Sequence, residues 1–375
     1  MKISSNFDSG NIDIVDDSDI NNIQLKIQKD SNSDFFQWFH FRLQGEAGKE
    51  YTMKIINAHE SSYVDGWKNY NACASYDRKE WFRVPTEFDG TNLIIKHKLE
   101  HDNVYYAYFT PYSYERHLDL IGFAQKSPIC KVSDLGDSVD GHDISLLSIG
   151  TNPENKKIFW VIARQHPGES MAEWFIEGML ERLLDENDKT SKSLLEKAFF
   201  YVVPNMNPDG SMSGNLRSNS AGANLNREWQ TPSIERSPEV YYVREKVHQT
   251  GVDLFLDVHG DEAIPYNFIA ACEGNPNYND RIKNLEDKFL NDFIEANPAF
   301  QNVHGYEKDK FGEANLTLAT NYMGETFDCL SMTLEMPFKD DDNNPDKKYG
   351  WSSDKSKKLG ASVLAPMLKI VEQLR

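Results

Sequence analysis

Three short apolar runs constrain this chain more than any other feature. Residues 158–163, 198–203 and 252–258 are dominated by Val, Ile, Leu, Phe and Ala, and they have the length of strands rather than helices. Segments with helical spacing lie between and after them. Over 170–184, Met171, Trp174, Phe175, Met179, Leu180 and Leu183 fall on one face. Residues 238–249 read as a helix stopped by Gly251, and 281–295 as another. Residues 332–334 fit a fourth short strand, and 360–374 a closing amphipathic helix. Buried strands alternating with helices specify an α/β domain.

The first third reads differently. Short alternating or aromatic stretches occur at 23–28, 35–43, 52–57, 73–75, 81–84, 92–97 and 103–110. Turn signals such as Tyr76-Asp77-Arg78-Lys79 separate them, and no long helical pattern interrupts. This predicts an N-terminal antiparallel β-sandwich. The change of pattern after Pro111 divides the 375 residues into 1–112 and 113–375.

Composition excludes some partners. A net charge of −19 argues against nucleic acid and anionic membranes, because phosphates call for a basic surface. No apolar run reaches the roughly 18 residues of a membrane span. The first thirty residues lack the basic-then-apolar order of a secretory signal, so a cytoplasmic location is expected. Cys73, Cys130, Cys272 and Cys329 are widely spaced and form no C-x-x-C pair; reduced thiols are expected. A homo-oligomer is compatible with all of this.

The strongest chemical signal is His166-Pro167-Gly168-Glu169, set between the 158–163 strand and the helix from 170. A His and a carboxylate at such a turn can face one point. Catalytic zinc takes mixed nitrogen and oxygen ligands and keeps one position open. His259, directly after the 252–258 strand, is the best third ligand, because open α/β sheets build their sites outside the carboxyl ends of strands. The plain alternative makes His166 a loop histidine and Glu169 a first-turn helix acid. The other histidines lie in or beside the β region or in turn, helix and loop contexts, and are expected to be packing or surface residues.

Together with Asn205-Met206-Asn207-Pro208-Asp209-Gly210, Asn224-Leu225-Asn226-Arg227-Glu228-Trp229, Asp257-Val258-His259-Gly260 and Thr333-Leu334-Glu335, this turn resembles the zinc metallocarboxypeptidase family. Gln37-Trp38-Phe39-His40-Phe41-Arg42, the stretch from Tyr106 to Tyr114, and Leu135-Gly136-Asp137 are similar to its cytosolic carboxypeptidase branch, in a bacterial form. The resemblance implies a mixed sheet of the eight-stranded carboxypeptidase type, flanked by helices. It implies one Zn2+ per chain on His166, Glu169 and His259, and hydrolysis of a C-terminal peptide or glutamyl-type bond by zinc-activated water.

Roles follow from the same resemblance. Arg217 matches the arginine that polarises the scissile carbonyl. Asn226 and Arg227 match the pair that grips the free carboxylate of a peptide or protein C-terminus. Glu335 matches the general base. The chemistry agrees: a guanidinium binds a carboxylate bidentately, and a carboxylate beside an open metal position can take a proton from water. The chain departs from the family at Asn224, where many members carry an acid that holds the first zinc histidine; an amide oxygen still accepts from imidazole but lends it less basicity. Tyr306 and Tyr322 both lie where the family's mobile tyrosine falls. Two rivals stay open: an amidohydrolase of the same fold acting on N-acyl amino acids or cell-wall peptides, and a zinc-binding interaction module without turnover.

Overall fold

The computed structural model describes residues 1–375. The N-terminal third forms two five-stranded sheets. One runs, in spatial order, Lys2–Ser4, His40–Gln44, Asn103–Ala107, Ala72–Ser75 and Phe82–Val84. The other runs Asp13–Asp16, Ile23–Lys26, Glu50–Ile55, Leu93–Lys98 and Thr86–Phe88. Alternation turns apolar residues inward: along Glu50–Ile55, Tyr51, Met53 and Ile55 are buried and their neighbours are not.

Two details correct the sequence reading. Ile23–Lys26 and Glu50–Ile55 pair in parallel, although every other pair in this region is antiparallel. The chain visits the opposite sheet at His40–Gln44 between them, so both strands enter from the same end. Residues 36–39 are buried but lie outside any strand. There the Gln37 side chain stands in for a strand partner: its Oε1 accepts from the backbone N–H of Tyr63, and its Nε2 donates to the Tyr63 carbonyl.

The larger sheet runs Cys130–Asp137, Asp143–Ile149, Ala198–Val203, Lys157–Ala163, Leu254–Val258, Leu330–Glu335 and Phe268–Ala271. Its four central members are parallel and carry near-continuous apolar sequence, as strands covered on both faces must. The flanking strands are antiparallel. The sheet is mixed, as expected, but it pairs seven strands rather than eight. Outside Phe268–Ala271 the chain makes only a single bridge, Asn267 to Phe300. Just before that bridge the chain makes a tight turn, closed by the Phe300 N–H on the Asn297 carbonyl.

Helix Met171–Leu183 packs backbone to backbone on helix Ser353–Ser362. A Cβ on Gly178 would lie 2.0 Å from the Lys357 carbonyl oxygen, and one on Gly360 1.9 Å from that of Phe175. The closing helix begins at Ser353 rather than 360 and resumes as Leu364–Ile370. Pro366 has no N–H to give the carbonyl of Ser362, so the two pieces do not fuse.

One apolar core joins all three sheets, from Leu43 and Tyr106 to Val161, Leu256 and Met332. Polar ties cross the same junction. Arg83 donates to the carbonyls of Phe338, Tyr349 and Trp351, and the Tyr108 ring stacks on Phe338 with centroids 4.4 Å apart. All four cysteines are free, and no helix is long and apolar enough to cross a membrane.

Candidate metal centre and active site

The parallel strands bring the candidate residues together by register. Ala163 pairs with Val258, and Val258 with Leu334. The residues that follow, the His166 turn, His259 and Glu335, therefore emerge side by side at one edge of the sheet. Arg164 makes the turn possible. It adopts a left-handed backbone at φ 59°, unusual for a side chain of its size. Its buried guanidinium holds the turn by donating to the Pro167 carbonyl at 3.0 Å and to Glu173 at 2.7 Å.

His166, Glu169 and His259 present ligand atoms that all lie within 4.8 Å of one another, and all three residues are buried. Glu169 spans the histidines, with Oε1 2.7 Å from His166 Nδ1 and Oε2 2.7 Å from His259 Nδ1. The two Nδ1 atoms are 3.1 Å apart. The far ring nitrogens are taken by acceptors: His166 Nε2 faces Asn224 Oδ1 at 3.0 Å, and His259 Nε2 faces Asp257 Oδ2 at 2.8 Å. With each Nε2–H donated outward, both Nδ1 lone pairs converge on a carboxylate. Such a donor set calls for a cation.

The electrostatics point the same way. Burial, reinforced by Arg217, pulls His166 down to about 3, so it stays neutral. Burial opposes charge on His259 too, yet Asp257 and Glu169 together favour positive charge at this ring, so a proton on Nδ1 and a metal cation compete for the same place beside the carboxylate. Burial would raise Glu169, but the two histidines bring it below the usual carboxylate range. The centre is built around positive charge.

A cavity of about 600 Å³ opens beside this triad. Arg217, Asn226, Arg227 and Glu335 line it, with His166 and Glu169; His259 sits behind them, 1 % exposed. Glu335 is the last residue of its strand. Its Oε2 is buried without a partner, while Oε1 accepts from the Tyr306 hydroxyl at 3.2 Å. Burial, with Glu169, Asp261 and Glu262 nearby, raises its pKa well above the usual range, against the pull of His259. Neither Arg217 nor Arg227 meets a carboxylate. Arg217 lies 5.3 Å from the Tyr63 ring centre, and Arg227 Nη1 donates to the Asn226 carbonyl at 2.7 Å. Asn226 is pinned by its Oδ1, which accepts from the Ala319 N–H at 2.8 Å.

Residues 119–351 match the family described as zinc carboxypeptidase, and residues 3–109 the cytosolic carboxypeptidase N-terminal domain. The chain belongs to the zinc carboxypeptidase family. A metallo-carboxypeptidase from Burkholderia cenocepacia is 49 % identical, with a TM-score of 0.97 over 99 % of each chain. A metallo-carboxypeptidase from Pseudomonas aeruginosa, in complex with (2-guanidinoethylmercapto)succinic acid, is 48 % identical, with a TM-score of 0.97 over 100 % of each chain. Human cytosolic carboxypeptidase 1 is 27 % identical over 72 % of this chain, which spans only 26 % of that protein. This is therefore a zinc-dependent metallocarboxypeptidase, with one zinc per chain.

Several features of this carboxypeptidase site escaped the sequence. Tyr306, not Tyr322, reaches the cavity; its hydroxyl donates to Asp261 Oδ2 at 2.7 Å, whereas Tyr322 pairs with His248. Asp257 orients His259 and also accepts from Gln165 at 2.6 Å. Asp30, from the N-terminal third, accepts from three consecutive backbone N–H groups at Leu216, Arg217 and Ser218. Tyr63 and Glu262 line the same cavity. Asp257 stood inside a quoted motif without a role. Asp30, Tyr63 and Glu262 carry no local signal, because tertiary folding alone brings them to the site.

Proposed function

We propose that this carboxypeptidase removes the last residue of a peptide or protein chain, with His166, Glu169 and His259 as zinc ligands. One observation carries the reading: two arginines without acid partners share a cavity with a buried glutamate and the donor triad, in a chain of net charge −19. Arginines left unpaired in so acidic a protein are free for an incoming anion. Arg227, steadied through Asn226, receives the terminal carboxylate. Arg217 lies toward the triad and stabilises negative charge developing on the scissile carbonyl oxygen. When bound, zinc supplies Lewis acidity and makes water a stronger acid at neutral pH.

Glu335 accepts a proton from the attacking water and delivers it to the departing amine. The Tyr306 hydroxyl sits between Asp261 Oδ2 at 2.7 Å and Glu335 Oε1 at 3.2 Å and holds that carboxyl in place. Near zinc, Asn224 and Asp257 fix the imidazole orientations. The ligand of the Pseudomonas aeruginosa relative carries two carboxylates, which suits a cavity with two free arginines. The division near residue 112, and the cytoplasmic location that the relatives' cytosolic name supports, belong to the same proposal.

Amidating the C-terminus of a cleaved peptide tests it. Loss of a charge-assisted hydrogen bond costs about 1.5–3 kcal/mol, so kcat/KM should fall by roughly ten- to a hundredfold. Equal cleavage of free and amidated peptides would leave an amidase or endopeptidase.

A further inference from the structure

A chain of buried hydrogen bonds reaches His259 from behind the cavity. The Trp229 indole donates from Nε1 to Gln165 Oε1 at 2.8 Å. Gln165 Nε2 donates to Asp257 Oδ2 at 2.6 Å, and the same oxygen lies 2.8 Å from His259 Nε2. Trp229, Gln165 and Asp257 are fully buried, and none of the three lines the cavity. They touch neither substrate nor metal, so any effect on the centre passes through His259.

The chain has a direction. An indole N–H can only donate, so the atom of Gln165 that faces it is the carbonyl oxygen. The amide NH2 is thereby turned to Asp257. A carboxylate oxygen 2.8 Å from His259 Nε2 calls for a hydrogen on that nitrogen. Nδ1, 2.7 Å from Glu169 Oε2, is then the nitrogen left for the metal.

Asp257 has little else to hold it. Its Oδ1 is buried without a partner, so the carboxylate is fixed through Oδ2 alone, by His259 on one side and Gln165 on the other. Of these two, Gln165 is the one anchored away from the metal. Its backbone carbonyl accepts from Asn207 Nδ2 at 3.1 Å. Trp229, which holds its amide, packs edge-on against Phe255 and donates its backbone N–H to the Thr317 carbonyl at 3.2 Å. Without Gln165 the carboxylate is free to turn about its last bond, and the imidazole turns with it. We propose that Gln165 is a positioning residue for zinc: through Asp257 it sets the direction of His259 Nδ1, and with it the affinity of the centre for the metal. Trp229 holds the Gln165 amide in the orientation this requires. The inference rests on the reading of His259 as a zinc ligand.

The test measures zinc affinity of the full chain by competition with a chelator of known strength, in the wild type, Gln165→Met and Trp229→Phe. Methionine is unbranched and flexible enough to fill the space of the glutamine without its amide. Phenylalanine keeps a ring against Phe255 and removes the N–H. Losing an outer partner of a metal ligand costs on the order of 10–100-fold in affinity, so Gln165→Met should bind zinc at least about tenfold more weakly. Trp229→Phe should shift the affinity in the same direction by a smaller factor. Melting temperatures with and without zinc separate this role from packing. A residue that only packs lowers both by the same amount, whereas a positioning residue narrows the gap between them.

Zinc affinity in Gln165→Met equal to that of the wild type, or an unchanged gap between the two melting temperatures, would overturn the inference while leaving His259 a ligand. Full retention of zinc in His259→Ala would instead remove the reading beneath it. If Gln165→Met does not fold, Trp229→Phe decides: a wild-type affinity there would overturn the inference, and a weaker one with a narrowed gap would support it.

Discussion

Asp30 accepts a hydrogen bond from the backbone N–H of Arg217 at 2.8 Å, across 187 positions of sequence. Its carboxylate also takes the N–H groups of Leu216 and Ser218, and burial pushes its pKa up to about 6. The Leu216 carbonyl in turn accepts from Gly168 N, inside the turn that carries His166 and Glu169. The N-terminal third therefore holds the loop that carries Arg217 into the cavity.

Asp30→Ala should leave three buried N–H groups without their acceptor. The expected cost is roughly 2–4 kcal/mol of stability, together with a fall in kcat/KM larger than any loss of zinc. Unfolding curves, zinc content and kinetics on one preparation measure this. Unchanged kinetics would show that Arg217 is aimed by other contacts.

Zinc should bind once per chain in the wild type and be largely lost in His259→Ala, by elemental analysis. Removing the metal with a chelator should lower the melting temperature, because binding to the folded state stabilises it. Full retention of zinc in His259→Ala would remove that histidine from the ligand set.

Glu335→Gln should keep zinc and the melting temperature while slowing turnover by about 10²–10⁴-fold, the usual loss on removing a positioned base. Tyr306→Phe deletes the hydroxyl that Glu335 Oε1 accepts from and should slow turnover less. A near-normal rate in Glu335→Gln with full zinc would end its assignment as the base.

Glu239 offers a pH signature outside the metal centre. Burial raises its pKa from 4.5 to about 7, and Asn219 donates to its carboxylate at 3.1 Å. Between these values the folded protein keeps a proton that the unfolded chain has released, so stability falls as pH rises through this window. Glu239→Gln removes that slope. The variant should gain on the wild type by about 1–3 kcal/mol between pH 4.5 and pH 7 in urea titrations. A difference that does not vary with pH would place the Glu239 pKa near its ordinary value.

What the sequence disclosed tracks how local each signal was. The parallel strands at Lys157–Ala163, Ala198–Val203 and Leu254–Val258 were legible because they are apolar on both faces. Asp13–Asp16 was not, since all four of its residues are exposed and pairing alone holds it. The hairpin Cys130–Asp137 with Asp143–Ile149 was missed because its first strand mixes Lys131, Ser133 and Asp134 with few apolar residues. In the site, His166, Glu169, His259 and Glu335 sit at strand ends within compact motifs. Asn224 was read as the partner of the first histidine and lies 3.0 Å from His166 Nε2. Tyr306 could not be separated from Tyr322, because only the fold decides which ring turns inward.

The grip of Asp30 on the loop of Arg217 also bears on inheritance. A recombination breakpoint near residue 112 would give the catalytic sheet a foreign N-terminal third, and with it an Asp30 shaped for another loop and a Tyr63 facing another arginine. Exchange that shuffles freestanding modules would disarm this enzyme even if both halves folded. The two thirds downstream and the third upstream are expected to pass between lineages as one unit.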